Sequence, residues 1–387
     1  MNFAPTDNQL EIEHAITRVC ERFDAAYWRR KDSEGGFPHD FHAALAEAGW
    51  LGIAMPEDVG GAGLGITEAA IMMRTIAASG AGLTGASAVH MNIFGLHPVV
   101  RHGTAEQRQR WLPPLIAGEQ KACFGVTEPD AGLNTLSLKT RAERRADHYV
   151  VNGQKMWIST AQVAHKILLL VRTSERNPAE PTRGLTLFYT DLDRRRIEVR
   201  EIEKHGRKAV DSNQLFIDGL EVPFEDRIGE EGRGFEYILD GMNPERILIA
   251  SEAVGIGRAA LERARVYAGE RFVFGRAIGQ NQGIQHPLAQ RWIDLEAADL
   301  LTMRAAWRYD ARMPCGPDAG AAKYAAAEAG YRACETAVLT LGGMGYSKEY
   351  DVERYLREVM ITRIAPVTPQ LILSYIAEKV LHLPKSY

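Results

Sequence analysis

The chain has 387 residues, of which 45% are hydrophobic and 25% are charged, and its formal net charge is −4. This length predicts two or three domains with ample core, and the composition excludes intrinsic disorder, collagen and a coiled-coil rod. Because the net charge is slightly negative, we expect neither a nucleic-acid nor an anionic-lipid partner. The longest aliphatic run, Ile167 to Val171, is too short for a membrane span.

Cysteine usage and the N-terminal residues bear on the cellular compartment. Cys20, Cys123, Cys315 and Cys334 form no CxxC pair, which favours free thiols in a reducing compartment over a disulfide framework or a zinc cage. The first 13 residues carry three acids and no apolar core, unlike a signal or transit peptide. We therefore expect a cytoplasmic protein, and no metal site.

Residues 1–120 have a helical pattern. Apolar residues three or four apart predict one helix over 8–30, with Asp7 as its cap. Shorter helices are predicted over 39–48, 67–78, 87–102 and 106–111, and the glycine-rich stretch 56–65 is predicted as a loop. This part of the chain is therefore expected to be an N-terminal helical domain.

Residues 121–230 have a strand pattern. Short β-branched or alternating runs predict strands over 122–126, 137–144, 148–152, 155–158, 166–171, 185–190, 197–202 and 213–221. The dipeptide Asn152-Gly153 between two runs predicts a hairpin turn. This spacing favours a small β-barrel or sandwich over alternating βαβ units.

Residues 231–387 return to a helical pattern. Long amphipathic segments over 245–270, 284–312, 318–341 and 368–382 predict an antiparallel four-helix bundle. The expected fold class is therefore α+β and mostly α. It comprises an N-terminal helical domain (1–120), a middle β-domain (121–230) and a C-terminal four-helix domain (231–387).

Two glycine patterns imitate a dinucleotide-binding fingerprint. Gly80, Gly82 and Gly85 match G-x-G-x-x-G, and the stretch containing Gly255 and Gly257 nearly does. Such a fingerprint must follow a strand and open a helix. The first pattern follows a predicted helix and the second lies inside one, so close helix packing better explains Gly255 and Gly257.

Five segments resemble motifs of the acyl-CoA dehydrogenase family and occur in that family's order. They are TEPxAG within 123–132, W-I-[ST] at 157–159, R-x-x-F-G at 271–275, GGxGY at 342–346 and R-x-x-R at 354–357. The resemblance covers nearly the whole chain. It implies FAD between the middle and C-terminal domains, a homodimer or homotetramer, and electron transfer to an electron-transferring flavoprotein.

The resemblance also implies a set of FAD contacts. A flavin needs hydrogen bonds at its pyrimidine edge and at N5, one covered ring face, and cations at its pyrophosphate. The implied contacts are Phe124, Val126, Thr127, Trp157, Ile158, Ser159, Arg271, Phe274, Gln282, Gly342, Gly343, Thr368 and Gln370. In relatives, the arginine at the Arg271 position reaches the FAD of the neighbouring subunit. Without the resemblance, Trp157 is a core aromatic, Ser159 a strand-end residue and Arg271 a solvated arginine.

The catalytic base must be a carboxylate. The α-proton of an acyl thioester is weakly acidic, so the base needs a pKa raised towards neutrality by desolvation. Many relatives carry this glutamate before the last helix, where this chain has Pro366. A minority, including the isovaleryl-CoA branch, carries it before an arginine on the first long C-terminal helix, as in Asn243-Pro244-Glu245-Arg246. The resemblance therefore implies Glu245 as the base. The alternative is that Asn-Pro-Glu starts a helix and leaves Glu245 solvated.

Three departures from the family pattern affect the predicted site. Pro366 has no N–H to donate to the thioester oxygen, so either a neighbour such as Val367 donates or the geometry differs from that of relatives. Leu133 stands where relatives have the serine that contacts the thioester ligand, and Leu339 replaces a glutamine near the partner's FAD. The implied substrate contacts are Leu133, Asn243 and Arg246.

The leading hypothesis is FAD-dependent α,β-dehydrogenation of an acyl-CoA or acyl-carrier-protein thioester. An acyl-CoA oxidase or flavin monooxygenase on the same scaffold is an alternative, which Pro366 keeps open. A non-catalytic relative is another, against which the retained Thr127, Trp157, Ser159 and Arg271 argue.

Overall fold

A computed structural model describes residues 4–386. Its N-terminal part consists of helices connected by short loops. They are α1 (Asp7–Cys20), α2 (Ala25–Glu34), α3 (His39–Glu47), α4 (Ile66–Ile76), α5 (Gly82–His90), α6 (His97–His102) and α7 (Ala105–Ile116). The single helix predicted over 8–30 is wrong, because Asp24 caps a second helix by accepting from the Tyr27 N–H at 2.8 Å. The cap of α1 is Thr6 rather than Asp7.

The middle part is one eight-stranded sheet. Its strands are β1 (Ala122–Gly125), β2 (Arg141–Arg144), β3 (His148–Ser159), β4 (Lys166–Arg172), β5 (Leu185–Asp191), β6 (Ile197–Glu201), β7 (Ser212–Pro223) and β8 (Arg227–Ile228). The strand order is β6-β7-β3-β2-β4-β5-β8, with β1 paired in parallel to β4.

Strand β4 is buried along its whole length because both of its faces are covered. Ile167 and Leu169 point into a core shared with side chains of β3, β6 and β7, so the sheet closes over its own interior. Leu168 and Leu170 point the other way and pack against α6, α7 and α8. This double burial explains the unbroken aliphatic run seen in the sequence.

The predicted hairpin at Asn152-Gly153 is wrong. Strand β3 runs straight through these residues and stays paired with β7, with a register shift between Val151 and Gly153. Gly153 has φ +150°, and a Cβ there would lie 2.7 Å from the Thr140 Cα. The glycine therefore serves a bulge with a close backbone approach and not a turn.

Long helices make up the C-terminal part, together with a short β-hairpin. The elements are α8 (Gly234–Glu270), β9 (Phe272–Val273), β10 (Arg276–Ala277), α9 (Gln282–Asp310), α10 (Gly316–Leu341), α11 (Val352–Val359) and α12 (Pro369–Lys379). Helix α8 begins at Gly234, well before the predicted start at residue 245. Glu245 is therefore in the body of a helix, and the alternative that Asn-Pro-Glu is a helix start is wrong.

Close helix packing explains Gly255 and Gly257 of α8, as predicted. A Cβ on Gly257 would lie 3.1 Å from the Cα of Gly330 on α10, and one on Gly255 would overlap the backbone of Arg74 on α4.

The four cysteines are buried and form no disulfide bond. Across residues 4–386, we find no helix with the length and apolarity needed to cross a membrane.

Candidate active site

The two motifs of the β-domain lie side by side. Met156 N–H donates to the carbonyl of Thr127 at 2.9 Å and so connects the segment after β1 to β3. The fully buried Lys155 donates to the carbonyl of Val126 at 3.1 Å and to the Glu128 carboxylate at 2.9 Å. Burial acts to raise the pKa of Glu128, but Lys155 and backbone hydrogen bonds hold it below its usual value. A buried ion pair thus fixes the 124–128 segment.

The side chain of Trp157 lies at the surface. The alternative interpretation, in which Trp157 is a core aromatic, is therefore wrong. The register between β3 and β7 shifts between Lys155 and Ile158, and Trp157 within this bulge has φ +62°. A left-handed conformation at a bulky residue costs roughly 1–3 kcal/mol and is found mainly at functional sites. The indole is 54% exposed, whereas Ile158 packs in the core and can offer a ligand only its backbone.

These residues form a surface that fits a flavin. Phe124 is partly buried and its ring lies 5.3 Å from that of Phe94, while Val126 is buried and offers only backbone groups. Among the described strands, β1 pairs with β4 alone, so its other edge has no neighbouring strand. Thr127 and Ser159 are partly exposed next to the exposed Trp157. The arrangement supplies a flat aromatic face beside hydrogen-bonding groups, which is the combination that a flavin ring needs.

Glu245 is the predicted base, and its surroundings suit that role. It is partly exposed on α8. Burial raises the pKa of Glu245 to about 7, although His90, Arg246 and Lys323 act to lower it. A carboxyl group with a pKa near neutrality can accept a proton at physiological pH and release it again.

Lys323 connects the base to the turn that contains Pro366. It is fully buried on α10, and its ammonium donates to the carbonyl of Val367 at 2.6 Å. Burial lowers the pKa of Lys323 to about 8, with Glu245 opposing the shift. Within the described part of the chain, the Val367 N–H has no hydrogen-bond partner. Lys323 therefore holds a turn with an unpartnered backbone N–H and acts electrostatically on Glu245.

A second ion pair lies beside the base. His90, the last residue of α5, bonds through Nδ1 to the carboxylate of the fully buried Glu252 on α8. Burial acts to lower the pKa of His90, but Glu252 raises it above its ordinary value. Sequence reasoning missed His90, Glu252 and Lys323 as site residues. Only Glu252 could have been found from the sequence. It follows Glu245 by seven residues, which is two helical turns, so both residues lie on the same face of the helix.

The remaining predicted contacts near Glu245 have mixed roles. Asn243 accepts from the Arg246 guanidinium at 3.1 Å, which orients Arg246 along α8. Leu133 is exposed. The Thr368 hydroxyl caps α12 by accepting from the Leu371 N–H at 3.3 Å, and Gln370 is exposed in the first turn of that helix.

The other predicted FAD contacts lie at the far end of α8. Arg271 is 26 residues beyond Glu245, about 39 Å along a helix that rises 1.5 Å per residue. The loop after α10 lies at the same end, where the rings of Tyr267 and Tyr350 are 5.6 Å apart. The predicted contacts at this end are all exposed, as is the departure at Leu339: Arg271, Phe274, Gln282, Gly342 and Gly343. The fold therefore does not bring them to Glu245 in one chain.

Comparisons with known proteins cover the whole chain. Family profiles match in three parts, described as the acyl-CoA dehydrogenase N-terminal domain over residues 6–119, middle domain over 123–220 and C-terminal domain over 232–381. The acyl-CoA dehydrogenase FadE12 of Mycobacterium tuberculosis is 34% identical over 392 aligned residues, covering 100% of this chain and 99% of FadE12.

Solved structures show the same architecture. Butyryl-CoA dehydrogenase from Megasphaera elsdenii superposes with a TM-score of 0.93 at 28% identity, covering 98% of this chain and 100% of that one. A glutaryl-coenzyme A dehydrogenase in complex with glutaryl-CoA gives a TM-score of 0.94 at 30% identity, covering 100% of this chain and 98% of that one. The chain belongs to the acyl-CoA dehydrogenase family of flavoprotein oxidoreductases, with FAD as its cofactor.

Proposed function

We propose that the protein oxidises the Cα–Cβ bond of an acyl-CoA to the 2-enoyl thioester, with Glu245 as the catalytic base. The observation that carries this proposal is the Glu245 carboxyl, whose pKa is raised to about 7 by burial. Lys323 acts on Glu245 and holds the turn whose Val367 N–H is unpartnered within residues 4–386, and removal of an α-proton requires both a base and such a donor. The dehydrogenases of butyryl-CoA and glutaryl-CoA that resemble this chain support an acyl-CoA as substrate.

The chain's own residues handle the proton. Glu245 in its ionised form accepts the α-proton, and the desolvated site keeps the resulting carboxylic acid stable near neutral pH. Pro366 occupies the position where many relatives carry the base, and its side chain cannot accept a proton. Glu245 and Pro366 therefore support the same assignment from two directions.

The thioester oxygen needs a donor, because negative charge develops there as the proton leaves. We assign this role to the Val367 N–H, which has no hydrogen-bond partner elsewhere in residues 4–386. Lys323 holds the carbonyl of the same residue and so fixes the direction of the turn. Lys323 thus positions the donor, although its own ammonium is directed at the protein backbone.

The flavin site is assigned to the bulged end of β3 and the segment after β1. Trp157 would cover one ring face, Ser159 would approach N5, and Thr127 with the backbone at Phe124 would bind the pyrimidine edge. Bound FAD supplies the acceptor for the hydride that leaves Cβ.

We further propose that the enzyme is a homo-oligomer. Arg271 lies about 39 Å from Glu245 along α8, and Phe274 and Gln282 follow it in the chain after that end of the helix. This separation from the base supports a role of these exposed residues at the FAD of another subunit. A dimer or tetramer in which each α8 end reaches a neighbour's cofactor meets this requirement.

Two electrons per turnover must leave the reduced cofactor, and we propose an electron-transferring flavoprotein as their acceptor. We also propose that the protein acts in the cytoplasm. An oxygen-using oxidase has the same base and the same first half-reaction, whereas a monooxygenase dispenses with the base. The raised pKa of Glu245 therefore favours dehydrogenation or oxidation over monooxygenation.

An anaerobic titration tests the proposal. The purified FAD-loaded protein is mixed with straight and branched acyl-CoAs while the visible flavin band is recorded. Bleaching by at least one acyl-CoA is the expected result, and reoxidation by electron-transferring flavoprotein but not by air separates a dehydrogenase from an oxidase. A yellow protein that no acyl-CoA bleaches would contradict the acyl-CoA assignment and direct the search to carrier-protein thioesters. A protein that cannot be loaded with FAD would indicate a non-catalytic relative.

A further inference from the structure

The His90–Glu252 ion pair has neighbours on the flavin side and shares one face of α8 with the base. The ring of His90 is 4.8 Å from that of Phe94, which in turn lies 5.3 Å from the Phe124 ring beside the flavin surface. On its other side, His90 bonds to Glu252, which is two helical turns beyond Glu245 on the same face of α8. The pair therefore connects α5 to the catalytic face of α8.

The charges around this pair come from several elements. Four charged groups act on Glu245. His90 belongs to α5, Arg246 and Glu252 belong to the same helix as Glu245, and Lys323 belongs to α10. His90 faces Glu252, Glu245 and Arg207, and the Arg207 guanidinium donates to the Ser87 hydroxyl at 2.7 Å. Among residues 4–386, the second oxygen of Glu252 has no hydrogen-bond partner.

We propose that His90 and Glu252 are positioning residues for Glu245: Glu252 keeps His90 protonated, and the imidazolium keeps the Glu245 carboxylate ionised for proton abstraction. The proposal rests on the assignment of Glu245 as the base.

The physical reason lies in how burial acts on each group. A buried imidazole without a partner is neutral, because desolvation penalises its charged form. Glu252 reverses this effect on His90 and raises the pKa of the imidazole above its ordinary value. The resulting imidazolium opposes the burial that would otherwise protonate Glu245. Since Glu252 itself acts to raise the pKa of Glu245, the imidazolium must be present for the pair to help the base.

Two substitutions separate this role from a structural one. In His90→Gln, the amide can still bond to Glu252, but the positive charge is gone. The pH at which flavin reduction reaches half its maximum should rise by about one unit, the lower end of the shift that a neighbouring opposite charge produces. Reduction at pH 7 should therefore slow several-fold and recover at pH 9.

The double variant His90→Gln/Glu252→Gln removes both charges and keeps a hydrogen-bonded pair. Its half-maximum should return towards the wild-type pH, because the uncompensated negative charge of Glu252 is removed together with the imidazolium. His102→Gln is the matched control, since His102 pairs with Asp240 on the same helix at 2.6 Å. A merely structural pair would give slower rates in the single and double variants with no change in the half-maximum pH.

A second measurement does not depend on turnover. Nitrogen-15 NMR of labelled histidines follows the His90 imidazole through its titration, with the signal assigned by His90→Gln. The imidazole should be protonated at pH 7 in the wild type and should titrate at lower pH in Glu245→Gln, because coupled groups shift one another.

The outcomes of the two measurements are distinguishable. A neutral His90 at pH 7, or a titration that is the same with and without the Glu245 carboxyl, would overturn the positioning role. If no acyl-CoA reduces the flavin, the function proposed above fails, while the NMR titration still decides whether His90 and Glu245 are coupled.

Discussion

Substitution of Glu245 by glutamine is the most direct test of the catalytic assignment. The amide has nearly the same shape as the carboxyl but cannot accept a proton. Glu252 is a second carboxylate that acts on Glu245, and its ion pair with His90 occupies it. Pro366 offers no replacement. We therefore expect the variant to bind FAD and acyl-CoA but to lose reduction of the flavin by substrate.

The expected loss is large and depends on pH. A general base typically contributes about 10²–10⁴-fold to a rate, and the weak acidity of the α-proton places this case near the upper end. Because the pKa of Glu245 is about 7, wild-type reduction should fall about tenfold for each pH unit below 7 and level off above 8. The glutamine variant should show no such dependence.

The assay is stopped-flow mixing of the FAD-loaded enzyme with acyl-CoA without oxygen, recorded at the flavin band. Glu262→Gln is the matched control, because Glu262 is exposed on the same helix and paired with Arg265. The pKa of Glu245 is higher in the folded protein than in the unfolded chain. Ionisation of Glu245 therefore lowers the free energy of unfolding as pH rises through 7. The melting temperature of Glu245→Gln at pH 8 should therefore equal or exceed that of the wild type. Reduction at a wild-type rate would refute the assignment.

Three further substitutions test the rest of the site. Trp157→Ala should weaken FAD binding about tenfold, since an aromatic pair contributes ~0.5–1.5 kcal/mol beyond the buried area; unchanged retention on gel filtration would contradict the flavin contact. Lys323→Met should slow flavin reduction without loss of FAD, because it frees the turn that carries the proposed thioester donor, and stopped-flow rates equal to wild type would argue against that role. Gly257→Val should lower the free energy of unfolding by about 1–3 kcal/mol or more, because the added carbons meet Gly330 on the facing helix. Gly269→Val, with open space around it, is the matched control for melting curves, and equal losses would contradict the packing argument.

Periodicity and local motifs predicted much of the architecture. Apolar spacing predicted the long C-terminal helices, and alternating or aliphatic runs predicted most strands, because burial of one face depends directly on residue spacing. Errors arose where a local signal had two physical explanations. Asn152-Gly153 suits a turn, but the approach of Thr140 makes the glycine part of a bulge. Asn-Pro-Glu suits a helix start, but the nine residues before Asn243 already belong to α8.

The sequence likewise predicted one part of the candidate site and not the other. The sequence by itself determined the residue types that chemistry needs and their order along the chain, including Glu245 and the absence of a base at Pro366. Only the tertiary structure decided that Glu245 has a raised pKa and that His90 and Lys323, from two other helices, lie beside it. It also placed Arg271 far from the base. The physical reason is that desolvation and charge coupling depend on distances between segments remote in sequence, and local spacing does not report those distances.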